Sequence, residues 1–534
     1  MGALAVAMSA LAAPARADAI KQGGSITVAW KDDLATLDPA IGYDNENWAV
    51  IKAMFSRLMD YAPGSPDLVK DLATDIQISP DKRTYTFKLR QGVKFTNGRE
   101  LTADDVKYSL DRTVNPKTQS PGASFYKSID GYDDVTAGKA DSLSGVKVID
   151  RYTVSIELSH PDATIFHVLA LNFSSVVPKE EVEKWGADFG KHPVGSGAFK
   201  LGEWTLGQRI VLERNKDYYK PGLPYLDKIV MDVGQEPSVA LLRLERGEVD
   251  VLGNGIPPGR FLEVTRNPEF SKLVVHGPQL RTSYISMNVN MKPFDDVRVR
   301  RAINMAINKD RINRILNGRA LPANQPLPPG MPGYDKDYKG YPYDPAQAKE
   351  LLKQAGLADG FSTVLYSSNI DPDPRVAQAI QQDLAGIGIK AEVKSLDEAN
   401  VIAAGGEPNR APMIFSGAMA WGADFPDPSD FYGPILGCAA LTKGTWNWAW
   451  YCNKAVEQEA LKADAMVDPA QSGDRDKLWG TIFEKVMEDA PWVPIYNNLR
   501  YQMHSPKVGA ADALYVDPTR TPFNYEVVYD KTVQ

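Results

Sequence analysis

The chain has 534 residues and a formal net charge of −8, with ordinary globular fractions of hydrophobic (43%) and charged (24%) residues. This composition excludes the disordered and fibrous classes. The acidic balance argues against nucleic acid as a partner, because the protein has no overall attraction for a phosphate backbone. The length exceeds what one hydrophobic core supports, so we expect two or three domains.

The amino terminus has the pattern of an export signal. A short apolar run at 4–13 precedes Ala15-Arg16-Ala17, which is an A-x-A type of cleavage site. The run is too short to span a bilayer, which needs ~20 residues. No Lys or Arg precedes it, so an ordinary Ala-rich terminus stays open as the alternative. We predict a signal peptide over residues 1–17 and a periplasmic location.

Strand and helix signals alternate along the first half of the chain. The apolar residues Tyr85, Phe87 and Leu89 recur at the period of a strand. Thr102, with Asp105 three residues later, forms an approximate capping box that predicts a helix start. The other predicted elements of this half are strands at 25–30, 229–232 and 249–251 and helices at 47–59 and 236–246. The later part has a βαβ rhythm, which favours a mixed or parallel sheet.

The second half repeats this βαβ rhythm. The segment 293–296 caps a long helix whose apolar spacing continues to Leu316, and Gly318 ends it. The next elements are a helix that starts at Asp344-Pro345 and closes at Gly356, a strand at 362–366, a helix at 375–385 and a strand at 389–393. Two α/β lobes, each with its own sheet, fit this order.

Motifs that carry catalysis or bind metal are missing from the sequence. There is no G-x-S-x-G elbow, H-E-x-x-H or P-loop, and the five histidines have no metal-like spacing. We therefore predict no enzyme activity, no cofactor and no metal site. The two cysteines, Cys438 and Cys452, form a disulfide candidate in an exported protein, with two unrelated buried thiols as the alternative.

Four segments, in this order along the chain, resemble the peptide- and nickel-type solute-binding proteins of ABC importers, which are family 5, and resemble the dipeptide binders most. They are 95–106 with Ser109-Leu110, 193–200, 293–302 and 421–427 with Pro428 and Phe431. One such segment alone is weak evidence, but the ordered set covers nearly the whole mature chain and is specific.

The resemblance implies an α/β protein with the two-lobed periplasmic binding protein fold of type II, cluster C, with mixed sheets. It also implies an accessory domain inserted in the first lobe. The expected boundaries are 18–50, 193–283 and 497–534 for the first lobe, 51–192 for the accessory domain and 284–496 for the second lobe. The expected function is capture of a small peptide between the lobes and its delivery to the permease subunits of an ABC transporter, by a monomer. The resemblance further implies a disulfide between Cys438 and Cys452.

The resemblance also nominates ligand-binding residues. Asp424 matches the family's acid for a peptide α-ammonium, and the alternative is a turn or N-cap Asp. A buried ammonium needs such a carboxylate. Arg375 matches the position that takes a ligand carboxylate in dipeptide binders, with a solvated surface Arg as its alternative. Asp427 is interpreted as structural.

The remaining candidates lie in three loops. Trp421, followed by Gly422 and Ala423, is expected to line the cleft, or else belongs to the core of the lobe. Asn447 resembles a family Asn near the cleft. The segment Tyr43, Asp44 and Asn45 is expected to pair with an extended ligand backbone, with plain turn residues as the alternative.

Three other functions stay open from the sequence. The same fold could bind an opine, glutathione, a metal chelate or an oligosaccharide, because the fold does not name the ligand. An exported hydrolase that uses two acids such as Asp424 and Asp427 is a more remote alternative. A chaperone or sensor that uses the cleft is the third.

Overall fold

The computed structural model describes residues 20–514 and 523–533, so the predicted signal peptide at 1–17 lies outside the described residues. In the described residues the strands are β1 Ser25–Ala29, β2 Met59–Tyr61, β3 Leu68–Lys70, β4 Ala73–Ile78, β5 Thr84–Leu89, β6 Val146–Asp150, β7 Thr153–Glu157, β8 Phe199–Thr205, β9 Arg209–Arg214, β10 Lys228–Asp232, β11 Val251–Leu252, β12 Val274–Met287, β13 Ala320–Pro322, β14 Phe361–Ser368, β15 Ile389–Leu396, β16 Met413–Phe415, β17 Trp421–Gly422, β18 Trp492–Met503, β19 Val508–Gly509 and β20 Tyr529–Asp530.

The α-helices, apart from short 3₁₀ turns, are α1 Asn45–Met54, α2 Ala103–Val114, α3 Tyr132–Thr136, α4 Ile165–Val168, α5 Lys179–Trp185, α6 Pro237–Glu245, α7 Phe261–Arg266, α8 Val297–Ala306, α9 Lys309–Ile315, α10 Pro345–Gln354, α11 Asp373–Gly386, α12 Glu398–Gly405, α13 Ser429–Tyr432, α14 Lys454–Asp464 and α15 Ser472–Asp489. None of these helices, within the described part of the chain, has the length and apolarity needed to cross a membrane.

The first lobe is the part that carries a five-stranded sheet in the order β11-β1-β10-β9-β8. In β1 the side chains of Ile26 and Val28 are fully buried. β1 runs parallel to β10 and β11, while β9 is antiparallel to its neighbours. Just before β8, a Cβ on Gly195 would lie 2.1 Å from the carbonyl oxygen of Met54. Only glycine therefore lets this turn pack on the end of α1.

The accessory region is the part that carries an antiparallel four-stranded sheet in the order β4-β5-β7-β6. The inward side chains of β5, Phe87 among them, are buried as the alternating pattern predicts. The predicted capping box starts α2, because the Asp105 carboxylate accepts the backbone N–H of Thr102 at 2.9 Å. Val177, Val182 and Phe189, which follow this sheet, pack in the hydrophobic core of the first lobe. The domain boundaries stay a prediction.

The second lobe carries a mixed sheet in the order β13-β18-β12-β16-β14-β15, with β17 also paired to β12. Parallel pairing of β14 with β15 and β16 confirms the mixed α/β class. The long antiparallel strands β12 and β18 run from the second lobe toward the first, where Val251 and His504 form a bridge. These two strands connect the lobes.

One predicted element is wrong in its continuity. The long helix expected to end near Leu316 is two helices, α8 and α9. Asn308 separates them, because its side chain accepts the backbone N–H of Arg311 at 2.9 Å and caps α9. The backbone N–H of Asn308 donates to the carboxylate of Asp383 at 3.0 Å, and this second hydrogen bond also stabilises the break between the two helices.

Candidate functional site

Asp424 lies where the two lobes meet. The preceding strand β17 pairs with the connecting strand β12, and the backbone N–H of Asp424 donates to the carboxylate of Asp430 at 3.0 Å. Asp424 is 3% exposed. The hydroxyl of Tyr43, in the first lobe, donates to Oδ1 of Asp424 at 2.7 Å. This bond therefore joins a carboxylate of the second lobe to a loop of the first.

Tyr43 is positioned by the start of α1. Asp44 is the N-cap of this helix, and its carboxylate accepts the backbone N–H of Asn47 at 2.7 Å. The Tyr43 ring packs against Trp48 and Phe173, with centroids 5.8 and 5.2 Å away. Of the predicted trio, the structure thus brings Tyr43 to Asp424 and uses Asp44 as a cap. Asn45 begins the helix.

The residue after Asp424 makes the contact with the accessory region. Phe425 lies 5.8 Å from the ring of His167 and 6.1 Å from that of Phe125. His167 also contacts the hydroxyl of Tyr61 at 2.9 Å. Burial lowers the pKa of His167 to about 4, so its imidazole is neutral near pH 7. The accessory region and the second lobe therefore meet through uncharged rings beside the Asp424 carboxylate.

Asp427 has its partners within the second lobe. Arg475 donates two hydrogen bonds to its carboxylate, at 2.7 and 2.9 Å, and Ser429 adds bonds from its backbone N–H and hydroxyl. Burial opposes the charge, but Arg475 outweighs burial and holds the pKa of Asp427 below its ordinary value. This geometry is that of a structural ion pair.

Trp421 is largely buried and has one unused donor. The residue is 8% exposed, and its ring packs edge-on against that of Trp446, with centroids 6.1 Å apart. Among the described residues the indole Nε1–H has no hydrogen-bond partner. The next two residues continue the contact with β12. A Cβ on Gly422 would lie 3.7 Å from the methylenes of Arg281, and Ala423 donates its N–H to the carbonyl of Leu280 at 2.8 Å.

Two predicted residues have their hydrogen-bond partners outside this group. Arg375 is on the exposed surface of α11, where its guanidinium pairs with Asp371 at 2.8 Å and its side chain is 52% exposed. Its position is that of the solvated surface Arg. Asn447 is buried and holds its own loop, since its amide donates to the carbonyl of Tyr451 at 2.8 Å and its side-chain oxygen accepts the N–H of that residue at 3.2 Å. The ligand roles of both residues stay untested predictions.

The cysteines form the expected bond. Cys438 and Cys452 are joined in a disulfide that closes a loop with a sequence separation of 14, and this loop contains Asn447. A loop of that length contributes roughly 3 kcal/mol to stability in the chain-entropy model. The disulfide therefore links the segment at Cys438, which follows α13, to the residues just before α14.

A cavity of about 310 Å³ is lined by residues of both lobes, and sequence reasoning missed it. Its polar lining includes Glu46, Gln279, Arg319 and Arg500. Glu46 lies in the first turn of α1, three residues after Tyr43, so the start of this helix contributes both to the cavity and to the contact with Asp424. These side chains come from distant segments without a common motif, and no local pattern announces them. In the described residues, no group of three or more His, Cys, Asp or Glu side chains is arranged to hold a metal ion.

Comparisons with known proteins agree with this architecture. A family model described as bacterial extracellular solute-binding proteins, family 5 (middle region), matches residues 67–443. The glutathione-binding protein GsiB of Salmonella typhi is 32% identical over 512 residues, which cover 95% of this chain and 94% of that protein.

Solved structures give the same result for the fold. The periplasmic binding protein DppA of Helicobacter pylori, in complex with the peptide STSA, matches with a TM-score of 0.77 and 28% identity over 96% of this chain and 99% of that one. The clavulanic acid biosynthesis oligopeptide binding protein 2 matches with a TM-score of 0.87 and 24% identity over 96% of each chain, and this likeness concerns the fold alone. The predicted two-lobed fold is confirmed.

Proposed function

The chain belongs to family 5 of the bacterial extracellular solute-binding proteins, and we propose that it binds a small peptide or peptide-like solute between its lobes and delivers it to the permease subunits of an ABC importer. The observation that carries the proposal is the Asp424 carboxylate, which is buried at the junction of the lobes within 2.7 Å of the Tyr43 hydroxyl.

The site offers what the amino end of a peptide requires. An ammonium that leaves water needs a carboxylate partner, and Asp424 supplies one at the end of β17. The unused indole N–H of Trp421, three residues earlier, is a donor for a ligand carbonyl. Tyr43 adds a hydroxyl from the other lobe. A ligand that contacts these three residues is held by both lobes.

Binding then works through closure of the lobes. The Tyr43–Asp424 bond and the contact of Phe425 with His167 join parts of the chain that separate when the lobes open. A ligand that bridges the lobes stabilises the closed form in proportion to its extra affinity for that form. The closed surface is what the permease would recognise.

Glutathione is the second candidate cargo. A relative named for glutathione binding is 32% identical over nearly the whole chain. Glutathione is a γ-linked tripeptide with a free ammonium and two carboxylates, so it satisfies the same requirement at Asp424. The choice between an ordinary peptide and glutathione is a choice of backbone linkage.

The proposal has three further parts. The protein acts by binding, without cleavage of the ligand, as a monomer. It is exported by the segment at 1–17 and works in the periplasm. Its acidic charge of −8 leaves nucleic acid out of its partners. Mass spectrometry of the ligand recovered after incubation tests the absence of cleavage.

The test measures thermal unfolding of the mature chain with di- and tripeptides and glutathione, each compared with its N-acetylated form. A ligand at ~100 times its dissociation constant adds ~2.7 kcal/mol of stability, which is a clear rise in melting temperature. We expect free ligands to stabilise the wild type, and acetylation or Asp424→Asn to remove the effect.

Asp344→Asn is the matched control, because it also removes one acid of the second lobe but keeps a good N-cap for α10. It should leave the ligand response unchanged. If no free peptide and no glutathione raises the melting temperature, the proposed cargo is wrong.

A further inference from the structure

The interface between the accessory region and the second lobe contains two titratable side chains, one from each part of the chain. Phe425 of the second lobe packs into the hydrophobic core of the accessory region. The backbone N–H of Ala163, in the accessory region, donates to the carbonyl of Asp464 at the end of α14, at 3.1 Å. His167 lies on the first side of this interface and the Asp464 carboxylate on the second. Opening of the lobes separates these contacts and returns both side chains to water.

His167 is shielded from water by aromatic rings. Its imidazole stacks on the rings of Phe425 and Tyr61, with centroids 5.8 and 6.0 Å away and interplanar angles of 18° and 26°. Burial lowers its pKa from 6.5 to about 4. Because Phe425 comes from the other side of the interface, closure completes this burial, and an imidazole that is charged in the open form releases its proton. The charged groups that act on this imidazole are Asp427, Arg475 and Asp162.

The Asp464 carboxylate lacks a donor because its neighbour uses them elsewhere. Arg475 donates from both terminal nitrogens to Asp427, at 2.7 and 2.9 Å, and from Nε to the carbonyl of Ala463 at 2.9 Å. Oδ1 of Asp464 lies 3.7 Å from this guanidinium. It is buried, and within the described residues it accepts no hydrogen bond. A buried carboxylate oxygen without a donor favours the protonated acid.

Charges on both sides of the interface act on Asp464. Burial raises its pKa from 3.8 to about 7, and the Asp427 charge acts in the same direction. Asp162, across the interface in the accessory region, also raises this pKa, whereas Arg475 and Lys127 oppose the rise. Closure therefore brings a second acid toward Asp464 and favours uptake of a proton by its carboxylate.

We propose that this interface is a proton-compensated latch, in which closure of the lobes releases one proton from His167 and takes up one proton at Asp464. The imidazole gives its proton to water and the carboxylate takes one from water, so closure exchanges no net proton. The inference rests on the proposed closure of the lobes around a ligand. Its consequence is a ligand affinity that stays nearly constant between about pH 4 and pH 6.5.

Either group alone would make closure depend on pH. With Asp464 alone, whose pKa is raised in the closed form, closure is favoured below about pH 4 and weakens as pH rises to about 7. With His167 alone, whose pKa is lowered, closure is favoured above about pH 6.5 and weakens as pH falls to about 4. Between these limits the two slopes oppose each other, each at up to about tenfold in affinity per pH unit.

The test is calorimetric titration with glutathione and with trialanine at pH 4.5, 5.5 and 6.5. We expect the wild-type affinity to vary by less than about threefold over this range. In His167→Gln the affinity should fall about 10- to 100-fold from pH 4.5 to pH 6.5, and in Asp464→Asn it should rise by a similar factor. A loss of packing alone would change the affinity equally at all three pH values, so the sign of the slope is the readout.

Two exposed residues supply matched controls. His160→Gln removes an exposed histidine of the accessory region, and Asp474→Asn removes an exposed acid of α15. Both should keep the wild-type slope. His167→Phe, which keeps a ring against Phe425, is used if His167→Gln melts well below the wild type. The proposal is overturned if the variants at 167 and 464 keep the wild-type slope, or if their slopes have the same sign.

A measurement without ligand separates the latch from the proposed cargo. Spin labels at the exposed positions Lys139, in the accessory region, and Lys477, in α15, report the distance across the interface by pulsed electron paramagnetic resonance. The closed population should fall with rising pH in His167→Gln and grow in Asp464→Asn. These shifts support the latch even if neither glutathione nor trialanine binds, and then only the proposed cargo is wrong. If neither compound binds and both variants give distances that do not depend on pH, the latch is overturned as well.

Discussion

Asp424 and Asp427 stand three residues apart on one loop, each 3% exposed, and they are used in opposite ways. Asp427 meets Arg475 of its own lobe through two hydrogen bonds. Asp424 meets Tyr43, which comes from the other lobe, 381 positions away in sequence. A buried charge satisfied within one lobe supports that lobe in every state, whereas a contact across lobes exists only when they are closed.

The contrast between the two acids shows that position in the fold separates a structural role from a functional one. Burial and residue type are equal for the two acids, so neither identifies the ligand residue. The partner's place in the fold is what favours Asp424 as the proposed ligand residue, since only a group between the lobes can couple ligand binding to closure. The predictions below therefore alter one acid or its surroundings and measure stability and binding separately.

The largest effect is expected from Arg475→Met. The change leaves Asp427 buried without its guanidinium partner, and breaking a buried pair in this way costs about 3–5 kcal/mol. Denaturant unfolding should show a loss of this size in the free energy of unfolding. Ligand affinity, measured where the variant is still folded, should change far less.

The double variant Asp427→Asn/Arg475→Met checks the cause. With the carboxylate also gone, no charge is stranded, so at least half of the lost stability should return. If the double variant is as unstable as Arg475→Met, then packing of the arginine, and not its charge, is what supports the loop.

A third buried acid of the second lobe, Asp373, extends the comparison to pH. Its carboxylate accepts, at 2.7 Å, the backbone N–H of Ala418, which lies in the segment that leads to Trp421. Burial raises the pKa of Asp373 from 3.8 to about 7. Where the folded pKa is raised, the unfolded chain loses its proton first, so this group's contribution to stability is complete below about pH 4 and is lost as pH rises to about 7.

The variant Asp373→Asn lacks this titration. The free energy of unfolding of the variant, minus that of the wild type, should therefore increase steadily between pH 4 and pH 7. The increase should be roughly 1–4 kcal/mol, at about 1.4 kcal/mol per pKa unit. Denaturant unfolding at several pH values measures the difference. A difference that stays constant over this range would show that Asp373 titrates normally in the folded protein.

Local signals predicted most of the helices and strands but not the contacts between lobes. The alternation at Tyr85, Phe87 and Leu89 and the capping box at Thr102 are properties of neighbouring residues, and β5 and α2 lie where they were expected. The break at Asn308 was missed because the apolar spacing continues across it, while the contact with Asp383 is distant in sequence.

The candidate site shows the same limit. Asp424 and Trp421 were nominated by a resemblance over one segment, and the disulfide by the only two cysteines. Arg319 and Arg500 carry no local signal, because the pairing of β13 with β18 brings segments that are distant in sequence to one cavity. Arg375 matches a family position, and its ligand role stays a prediction; its exposed place beside Asp371 on α11 depends on packing that sequence spacing does not reveal.

The smallest effect is expected from Tyr43→Phe, which isolates the bond between the lobes. The ring keeps its packing on Trp48 and Phe173, and only the hydroxyl that donates to Asp424 is lost. One such hydrogen bond contributes about 0.5–1.5 kcal/mol. We expect ligand affinity to fall by about 2- to 13-fold, through faster release from a less stable closed state, with the melting temperature of the ligand-free protein nearly unchanged. Stopped-flow dissociation together with unfolding of the free protein measures both quantities.

Equal affinity in wild type and variant would mean that Asp424 binds its ligand without help from the first lobe, and the contrast between the two acids would then no longer depend on closure.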